Sequence, residues 1–346
     1  MKRILIVGAG LAGLTAARLL AQVPDHPEVI VVDKGRSVGG RLATRRLGGA
    51  TLDHGAQFFT VRSKSFQGEV DRWIEAGVVE EWCRGFSPPD GYPRYRAVGG
   101  MNALAKHLAE TTPTPTLTRL RVSAIIPGPD QWAVAYEAAS REPDEVDAVI
   151  ATPPVPQTLK LLKSGAATLS SELGDQLEAM TYHKVIAIMA VLDRSPGLIE
   201  PGALQQPDNS VFTFVADNQA KGISDEPAVT FHLSHDLSAE LWELSDGEVL
   251  ARVEHELRST INQASVNEID LKRWRYAGPV TPHPDLCLVA MSKPGPLVFA
   301  GDGFGNSKVE GAFLSGQAAA RQVLADLELA DLELTDLELG GLEPGE

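Results

Sequence analysis

The chain has 346 residues, 43% of them hydrophobic and 22% charged, which is typical of a folded protein of about two domains and excludes wholesale disorder, collagen and coiled coil. Its two cysteines exclude a disulfide scaffold or a four-cysteine zinc module and favour a reducing compartment, so we predict a cytoplasmic protein. The net charge of −15 argues against binding to nucleic acid or anionic membranes, and no apolar run approaches the roughly 18 residues of a membrane span.

The first elements predict the start of a parallel α/β sheet. Residues 4–7 and 29–32 are short apolar runs typical of buried strands, and residues 11–23 between them have helical character. Gly8-Ala9-Gly10-Leu11-Ala12-Gly13 joins strand to helix, with glycines suited to a tight turn, to close approach of a pyrophosphate and to helix packing. Asp33 ends the second strand, where a carboxylate can accept hydrogen bonds from ribose hydroxyls. We predict a dinucleotide site here; a glycine-rich turn of an ordinary α/β protein is the alternative.

The rest of the chain alternates between helices and strands. Helices are predicted at residues 66–76, 101–110, 246–264 and 309–324, and strands at 117–126, 132–136, 146–151, 182–192, 211–215, 229–233 and 297–300. Residues 271–276 are expected to lead the chain back to the nucleotide domain. We therefore predict an α/β fold, with a Rossmann-type nucleotide domain on a parallel sheet and an inserted α+β substrate domain on a mixed or antiparallel sheet. The nucleotide domain comprises residues 1–60, 95–152 and 271–325, and the substrate domain residues 61–94 and 153–270.

Two glycine-rich segments indicate which dinucleotide is bound. Asp33-Lys34-Gly35-Arg36-Ser37-Val38-Gly39-Gly40-Arg41 allows close approach, and Arg41 can pair bidentately with a phosphate, although a surface arginine would also fit. This segment resembles the signature of FAD-dependent amine oxidases. Ala300-Gly301-Asp302-Gly303, followed by Val309-Glu310-Gly311-Ala312, resembles the C-terminal flavin motif of the same superfamily, in which the aspartate binds the ribityl chain and the helix N-terminus faces the flavin. The small residues of this helix also suit close packing.

The resemblance implies an FAD cofactor, and neither Cys83 nor Cys287 lies in a pattern for a covalent link, so the FAD is expected to be non-covalent. Carried over position by position, the cofactor-binding residues are Gly8, Gly10, Leu11, Ala12, Gly13, Asp33, Lys34, Gly40, Arg41, Ala56, Gln57, Phe58, Val122, Gly301, Asp302, Val309, Glu310, Gly311 and Ala312.

Two further segments, at residues 53–60 and 273–276, look closest to the renalase family within this superfamily. That likeness implies a flavin oxidase that takes hydride from a 2- or 6-dihydro-NAD(P) isomer onto flavin N5, with oxygen reduced to hydrogen peroxide. Phe59, Trp274 and Tyr276 are candidate ring-stacking residues, and Arg275 is a candidate for substrate phosphate or carboxamide. Core or surface roles fit each of these four residues as well. No spacing matches a metal site, and none is predicted.

Other functions stay open at this point. A flavin amine oxidase or a desaturase shares the cofactor motifs, and a non-catalytic dinucleotide-binding protein could use the C-terminal segment for interaction. That segment, residues 326–346, repeats Asp-Leu-Glu-Leu with a five-residue period, which forms no continuous face in a helix or a strand. We predict an acidic, weakly structured tail that carries about half of the net negative charge.

Overall fold

The computed structural model describes residues 1–24, 26–86, 88–138 and 141–329. The strands are β1 Arg3–Val7, β2 Glu28–Val32, β3 Thr44–Leu47, β4 Ala50–Asp53, β5 Val79–Cys83, β6 Arg94–Ala97, β7 Thr116–Leu117, β8 Val122–Pro127, β9 Trp132–Tyr136, β10 Asp144–Val146, β11 Ala148–Ala151, β12 Tyr182–Leu192, β13 Ala203–Gln205, β14 Phe212–Asp217, β15 Ala228–Leu233, β16 Val266–Pro279, β17 Leu288–Met291 and β18 Leu297–Phe299. The helices are α1 Leu11–Leu20, α2 Lys64–Glu75, α3 Asn102–Thr111, α4 Val155–Ser164, α5 Ser171–Glu178, α6 His235–Glu240, α7 Asp246–Ile261 and α8 Lys308–Asp326.

A six-stranded sheet in the order β17-β18-β11-β1-β2-β7 forms the first unit, and its neighbours are parallel except β17 with β18. Alternate residues of β1 enter two different cores. Ile4 and Ile6 pack with α1 and α8, whereas Leu5 and Val7 pack with the three-stranded sheet β10-β9-β8. Both faces of the strand are therefore covered, which explains its unbroken apolar sequence. The predicted Rossmann-type parallel sheet is confirmed.

A second sheet, in the order β13-β14-β15-β12-β16, is antiparallel throughout. One face of β12 contributes Ile186 and Ile188 to a core shared with α7. On the other face, Met189 and Val191 pack against Leu52 of β4, which belongs to the N-terminal part of the chain. The inserted antiparallel sheet thus packs directly against β4.

Two elements pack differently from the domain division predicted from the sequence. Strand β16 runs through residue 271 and pairs along its length with β12. Helix α2 places Phe66 and Trp73 in the core formed with α1 and α8. We propose that residues 64–75 belong with the nucleotide domain and residues 266–279 with the substrate domain, because these cores bury their side chains.

Helix α8 ends at Asp326, and Leu327 and Leu329 pack against the first core. The acidic tail prediction otherwise falls on residues 330–346, which lie outside the described residues. Within the described part of the chain, no helix is long and apolar enough to cross a membrane.

Candidate active site

The turn after β1 is shaped by its glycines. Gly8 has a φ of +104°, and a Cβ on it would lie 2.4 Å from Thr152 Oγ1. A Cβ on Gly13 would lie 2.0 Å from the carbonyl oxygen of Gly8, so the helix can approach the strand only without a side chain there. Gly10 differs, since no described atom lies within 4 Å of a Cβ placed on it. The turn is therefore open on the side of Gly10, where the sequence predicts a pyrophosphate.

The N-termini of α1 and α8 differ from those of four other helices. Serine side chains cap α2, α5, α6 and α7. No side chain within the described ranges caps α1, which begins after Gly10, or α8, which begins after Ser307, and α3 and α4 also lack such a cap. The free N–H groups and positive dipole ends of α1 and α8 are thus available to an anionic or carbonyl group.

Asp33 anchors the loop that follows β2. Its Oδ2 accepts a hydrogen bond from Ala9 N at 2.8 Å, and its Oδ1 accepts one from Gly35 N at 2.6 Å. The loop before β8 is tied to the same place, because Leu120 N donates to the Asp33 carbonyl at 2.9 Å. Val122, at the start of β8, is buried beside it. Lys34 instead points outward and donates to Gln157 Oε1 at 2.8 Å.

Arg41 and Asp302 bring the two glycine-rich motifs together. The guanidinium donates to both carboxylate oxygens, at 2.7 and 2.5 Å, and also to the Tyr276 carbonyl at 3.3 Å. The bidentate geometry fixes both side chains in one plane. Residues 261 positions apart therefore meet where the sequence predicts the flavin.

Helix α8 sits on α1 at its small residues. A Cβ on Gly316 would lie 2.2 Å from the Ala12 carbonyl oxygen, and one on Gly311 would overlap the Asn306 carbonyl. Ser315 Oγ accepts a hydrogen bond from Gly301 N at 2.7 Å, which holds the C-terminal motif against the helix. Val309 and Ala312 pack into or against the first core.

Glu310, predicted to contact the cofactor, is engaged elsewhere. Its carboxylate accepts hydrogen bonds from Arg62 N at 3.0 Å, Ser63 N at 2.7 Å and Ser63 Oγ at 2.6 Å. Ser63 is the N-cap of α2, so Glu310 joins the first turn of α8 to the start of α2. Its role as a cofactor contact stays a prediction.

The segment after β4 carries a fully buried ion pair. Lys221 Nζ lies 2.7 Å from Asp53 Oδ2, and both side chains have zero exposure. Asp53 Oδ1 accepts from Thr44 Oγ1 at 2.5 Å and from Met101 N at 2.8 Å. Gln57 Nε2 donates to the Asp53 carbonyl at 2.7 Å. These bonds shape the loop of residues 53–57, in which Ala56 N also donates to the Arg41 carbonyl at 2.9 Å.

Trp274 joins the inserted sheet to this loop. Its Nε1 donates to the His54 carbonyl at 2.7 Å, and the two rings stack with centroids 5.4 Å apart. Lys272 Nζ lies 5.4 Å from the centre of the Trp274 ring. Tyr276 lies edge-on to Tyr182 at 5.5 Å, and burial raises the pKa of Tyr182. Lys272 and Trp274 alternate along β16 and so share one face, and the register with β12 then shifts between Trp274 and Gly278, where Tyr276 lies. We call Lys272, Trp274 and Tyr276 the site wall.

Arg275 lies on the opposite face of β16. Its guanidinium is 5.8 Å from the Trp242 ring, beside the helical layer of α6 and α7. The structure thus places Trp274 against His54 and Tyr276 against Tyr182, whereas Arg275 lies against Trp242. Phe59 is 4% exposed and stacks on Tyr95 at 5.6 Å within the first core, whereas Phe58 packs among Trp82, Phe86 and Phe214.

The two histidines near the loop are neutral at physiological pH. Burial and the charge of Lys272 lower the pKa of His54 to about 4, and burial together with His54 lowers the pKa of His232 to about 4. His54 Nδ1 is buried without a hydrogen-bond partner among the described residues. Neutral imidazoles can orient a polar group without adding a charge.

Two family models match the chain. One described as an NAD(P)-binding Rossmann-like domain matches residues 6–72, and one described as a flavin containing amine oxidoreductase matches residues 68–324. The chain belongs to the flavin-containing amine oxidoreductase family. The predicted membership of the flavin amine oxidase superfamily is therefore confirmed, together with a flavin oxidoreductase assignment at the family level.

Individual relatives of this family are more distant. Renalase from Mus musculus is 27% identical over 198 residues, which cover 54% of this chain and 57% of the relative. Polyamine oxidase 1 from Oryza sativa subsp. japonica is 46% identical over 100 residues, covering 26% of this chain and 18% of the relative. The chain thus spans less than two thirds of these relatives. A structure of putrescine oxidase bound to putrescine has a TM-score of 0.65 at 17% identity, covering 94% of this chain and 99% of that chain, which shows a shared fold.

The turn at Gly10, the N-termini of α1 and α8 and the Arg41–Asp302 pair are together called the cofactor cradle, and they fit the flavin cofactor of the family. Gly10 leaves the first turn open, α1 and α8 present N-termini without a side-chain cap among the described residues, and Arg41 pairs with Asp302. A phosphate and a ring carbonyl are the groups that such termini accept. No group of three potential metal-ligating side chains occurs in the part of the chain that the structure describes.

Sequence reasoning missed four residues of the site. Lys221 and Lys272 lie in segments without a recognisable motif. Lys221 is 168 positions from its ion-pair partner Asp53, and Lys272 is two positions from the Trp274 ring that it contacts. Tyr182 and Thr152 end up beside Gly303 and Gly8 through long-range packing. One signal was present for Lys272, because it alternates with Trp274 and Tyr276, both already singled out, and a strand places alternate residues on one face.

Proposed function

We propose that this protein is a renalase-like oxidase with non-covalent FAD. It would oxidise a 2- or 6-dihydro-NAD(P) isomer, so that the dihydronicotinamide, a proton and oxygen yield NAD(P)⁺ and hydrogen peroxide. The supporting observation is the contact between Trp274 and His54. The two segments that resemble renalase lie 220 residues apart, yet they meet through a 2.7 Å hydrogen bond and a ring stack beside the motif that would hold the cofactor.

The residues proposed to hold FAD follow from the cradle. The first turn of α1 would bind the pyrophosphate through backbone N–H groups, and Arg41 would add its charge. Asp33 and Asp302 have carboxylate lone pairs suited to ribose and ribityl hydroxyls. Bound FAD would supply a two-electron acceptor for the hydride of the substrate.

The side chains of the site wall suit this chemistry. Trp274 and Tyr276 offer rings against which a planar substrate ring can be held, so positioning would be the main contribution of the protein. A dihydropyridine becomes aromatic when hydride leaves, and no proton has to be removed from it. The neutral state of His54 and His232, whose pKa values are about 4, is consistent with a reaction without a strong base.

An anaerobic reduction panel tests the proposal. Purified protein is expected to be yellow, to release its flavin on acid precipitation, and to bleach with 6-dihydro-NAD(P) but not with amines. Readmission of oxygen should restore the colour and form one hydrogen peroxide per flavin. A protein that takes up no FAD contradicts the proposal, and bleaching by no reductant at all would favour a non-catalytic binding protein.

Amine oxidation is the second candidate. It is supported by the family and by the fold shared with putrescine oxidase. In the same panel, bleaching by putrescine or another amine, with none by dihydronicotinamides, would establish this alternative.

A further inference from the structure

The site wall carries a positive charge that no carboxylate neutralises. Lys272 is half-buried on the face of β16 shared with Trp274, and it forms no ion pair with any described carboxylate. A lysine held over an aromatic ring keeps its N–H donors free for a ligand on its other side.

Three carboxylates near the wall have a cationic partner among the described residues, although Asp270 Oδ2 accepts no hydrogen bond there. The ion pairs are Asp53 with Lys221, Asp302 with Arg41, and Asp270 with Arg45. A substrate ammonium would therefore meet the Lys272 cation without a free carboxylate beside it. Like charges brought together in a partly desolvated site repel strongly, so the wall disfavours a cationic ligand.

His54 adds an unsatisfied polar group to the same place. The imidazole is 8% exposed, stacks on Trp274, and keeps Nδ1 buried and without a partner among the described residues. An unpaired buried nitrogen costs free energy unless a ligand satisfies it. Because the ring is neutral, it suits an uncharged polar group such as a carboxamide.

We infer that Lys272, Trp274 and His54 form a charge-selecting subsite for a planar ring that bears an anionic or neutral polar substituent. Lys272 binds the anionic group, Trp274 packs against the ring, and His54 orients the polar substituent. The subsite rejects substrates with an ammonium group. This inference rests on the proposed function, which it deepens by assigning substrate charge to one lysine.

The same strand supplies a matched control. Arg275 is also a cation over an indole, 5.8 Å from the Trp242 ring, and it too lacks an ion pair with a described carboxylate. It lies on the other face of β16, so its removal changes the net charge equally while leaving the site wall intact.

Three ligands of one shape test the inference. Benzoate, benzamide and benzylamine carry the same ring with an anionic, a neutral and a cationic group, and their binding to the holoprotein is followed anaerobically by the flavin absorbance. Wild type should bind benzoate best and benzylamine worst. Lys272→Met should weaken benzoate binding about tenfold or more, as expected for a lost charge-assisted hydrogen bond, and change benzamide less. Lys272→Arg should retain benzoate binding, and Arg275→Met should leave all three affinities unchanged.

Several results would overturn the inference. They are tightest binding of benzylamine to wild type, no detectable binding of benzoate to wild type, undiminished benzoate binding in Lys272→Met, and an equal loss of benzoate binding in Arg275→Met. Release of FAD from the Lys272→Met protein would also overturn it, since the lysine would then serve the cofactor. Failure of the proposed function is distinguishable, because it appears as absent reduction by dihydronicotinamides while the order of the three ligands persists.

Discussion

Arg41 and Asp302 each depend on the other for orientation. Their bidentate contact leaves the Asp302 side chain 11% exposed, and the additional bond from Arg41 to the Tyr276 carbonyl connects the pair to the site wall. Removal of one partner leaves the other partly desolvated and without its counter-charge, which costs more than the pair contributes. Substitution at either residue should therefore disturb cofactor binding on both sides of the cradle.

Asp302→Ala should weaken FAD binding about tenfold to a hundredfold, because a charge-assisted contact is lost and Arg41 loses its orientation. Fluorescence quenching of FAD by the apoprotein measures the dissociation constant. Asp285→Ala, which removes a 71% exposed carboxylate, is the control and should bind FAD as wild type does. Unchanged affinity in the Asp302 variant would refute the assignment of the C-terminal motif.

Stability should fall on acidification between pH 6.5 and pH 4. The pKa values of His54 and His232 are about 4 in the folded chain and 6.5 when unperturbed, so in this window the unfolded chain binds more protons. The free energy of unfolding should therefore decrease as the pH falls, by roughly 3 kcal/mol at most for one histidine. Urea denaturation of the apoprotein at both pH values measures this. His232→Gln should reduce the change in the free energy of unfolding with pH. The control His255→Gln, at an exposed position, should leave that change as in wild type. Equal pH dependence in the two variants would contradict a contribution from His232.

At the scale of elements, the cofactor cradle depends on how closely α8 approaches α1. The sequence predicted close packing from the small residues of α8, and the structure places Gly316 against the Ala12 carbonyl. The uncapped N-termini of both helices belong to this packed pair, as far as the described residues extend. A substitution that moves α8 away from α1 should therefore change both the cofactor cradle and the free energy of unfolding.

Gly316→Ala should lower the free energy of unfolding by about 1–3 kcal/mol, since its Cβ would lie 2.2 Å from a backbone oxygen and α8 would have to move. It should also weaken FAD binding. Gly174→Ala in α5 is a matched control, because no described atom lies within 4 Å of its Cβ, and it should be neutral or stabilising. Chemical denaturation of the two variants would contradict this packing if both behaved alike.

Elements with strong local signals were predictable, and contacts between distant segments were not. Strand β12 was predicted at residues 182–192, where the structure places it, since its apolar run exceeds what a turn or surface helix tolerates. Its pairing with β16 joins residues about 80 positions apart, and no local pattern encodes that partner. The cofactor motifs were predictable because glycine spacing reflects backbone geometry. Glu310 shows the limit, since its position in the motif does not reveal its bonds to Ser63.

At the scale of the whole molecule, the buried pair of Asp53 and Lys221 connects the β3-β4 hairpin to the inserted five-stranded sheet. Asp53 ends β4 beside the cofactor motif, whereas Lys221 lies between β14 and β15 of the inserted sheet. Thr230 of β15 also donates to the Asp53 carbonyl at 2.8 Å. Folding of the β3-β4 hairpin and folding of the inserted sheet should therefore be coupled through this buried contact.

Lys221→Met should lower the free energy of unfolding by about 3–5 kcal/mol, because it leaves a carboxylate buried without its cation. The double variant Asp53→Asn with Lys221→Met should recover part of that loss, since no charge remains unpaired. Denaturant titrations followed by flavin release and by far-UV circular dichroism measure both variants. The buried ion pair would not be needed for stability if Lys221→Met were as stable as wild type. The account would also be contradicted if the double variant lost more free energy of unfolding than the two single variants together.

The long edge position of β16 has a consequence for solubility. An unpaired strand edge is a template for strand addition from another molecule, and charged side chains oppose such addition. Between Glu268 and Arg275, β16 carries five charged residues in eight positions. Lys272 would then both bind the substrate and oppose self-association of the protein. Engineering the site for an uncharged substrate by removing Lys272 should therefore make concentrated protein more prone to aggregate, whereas an arginine there should not.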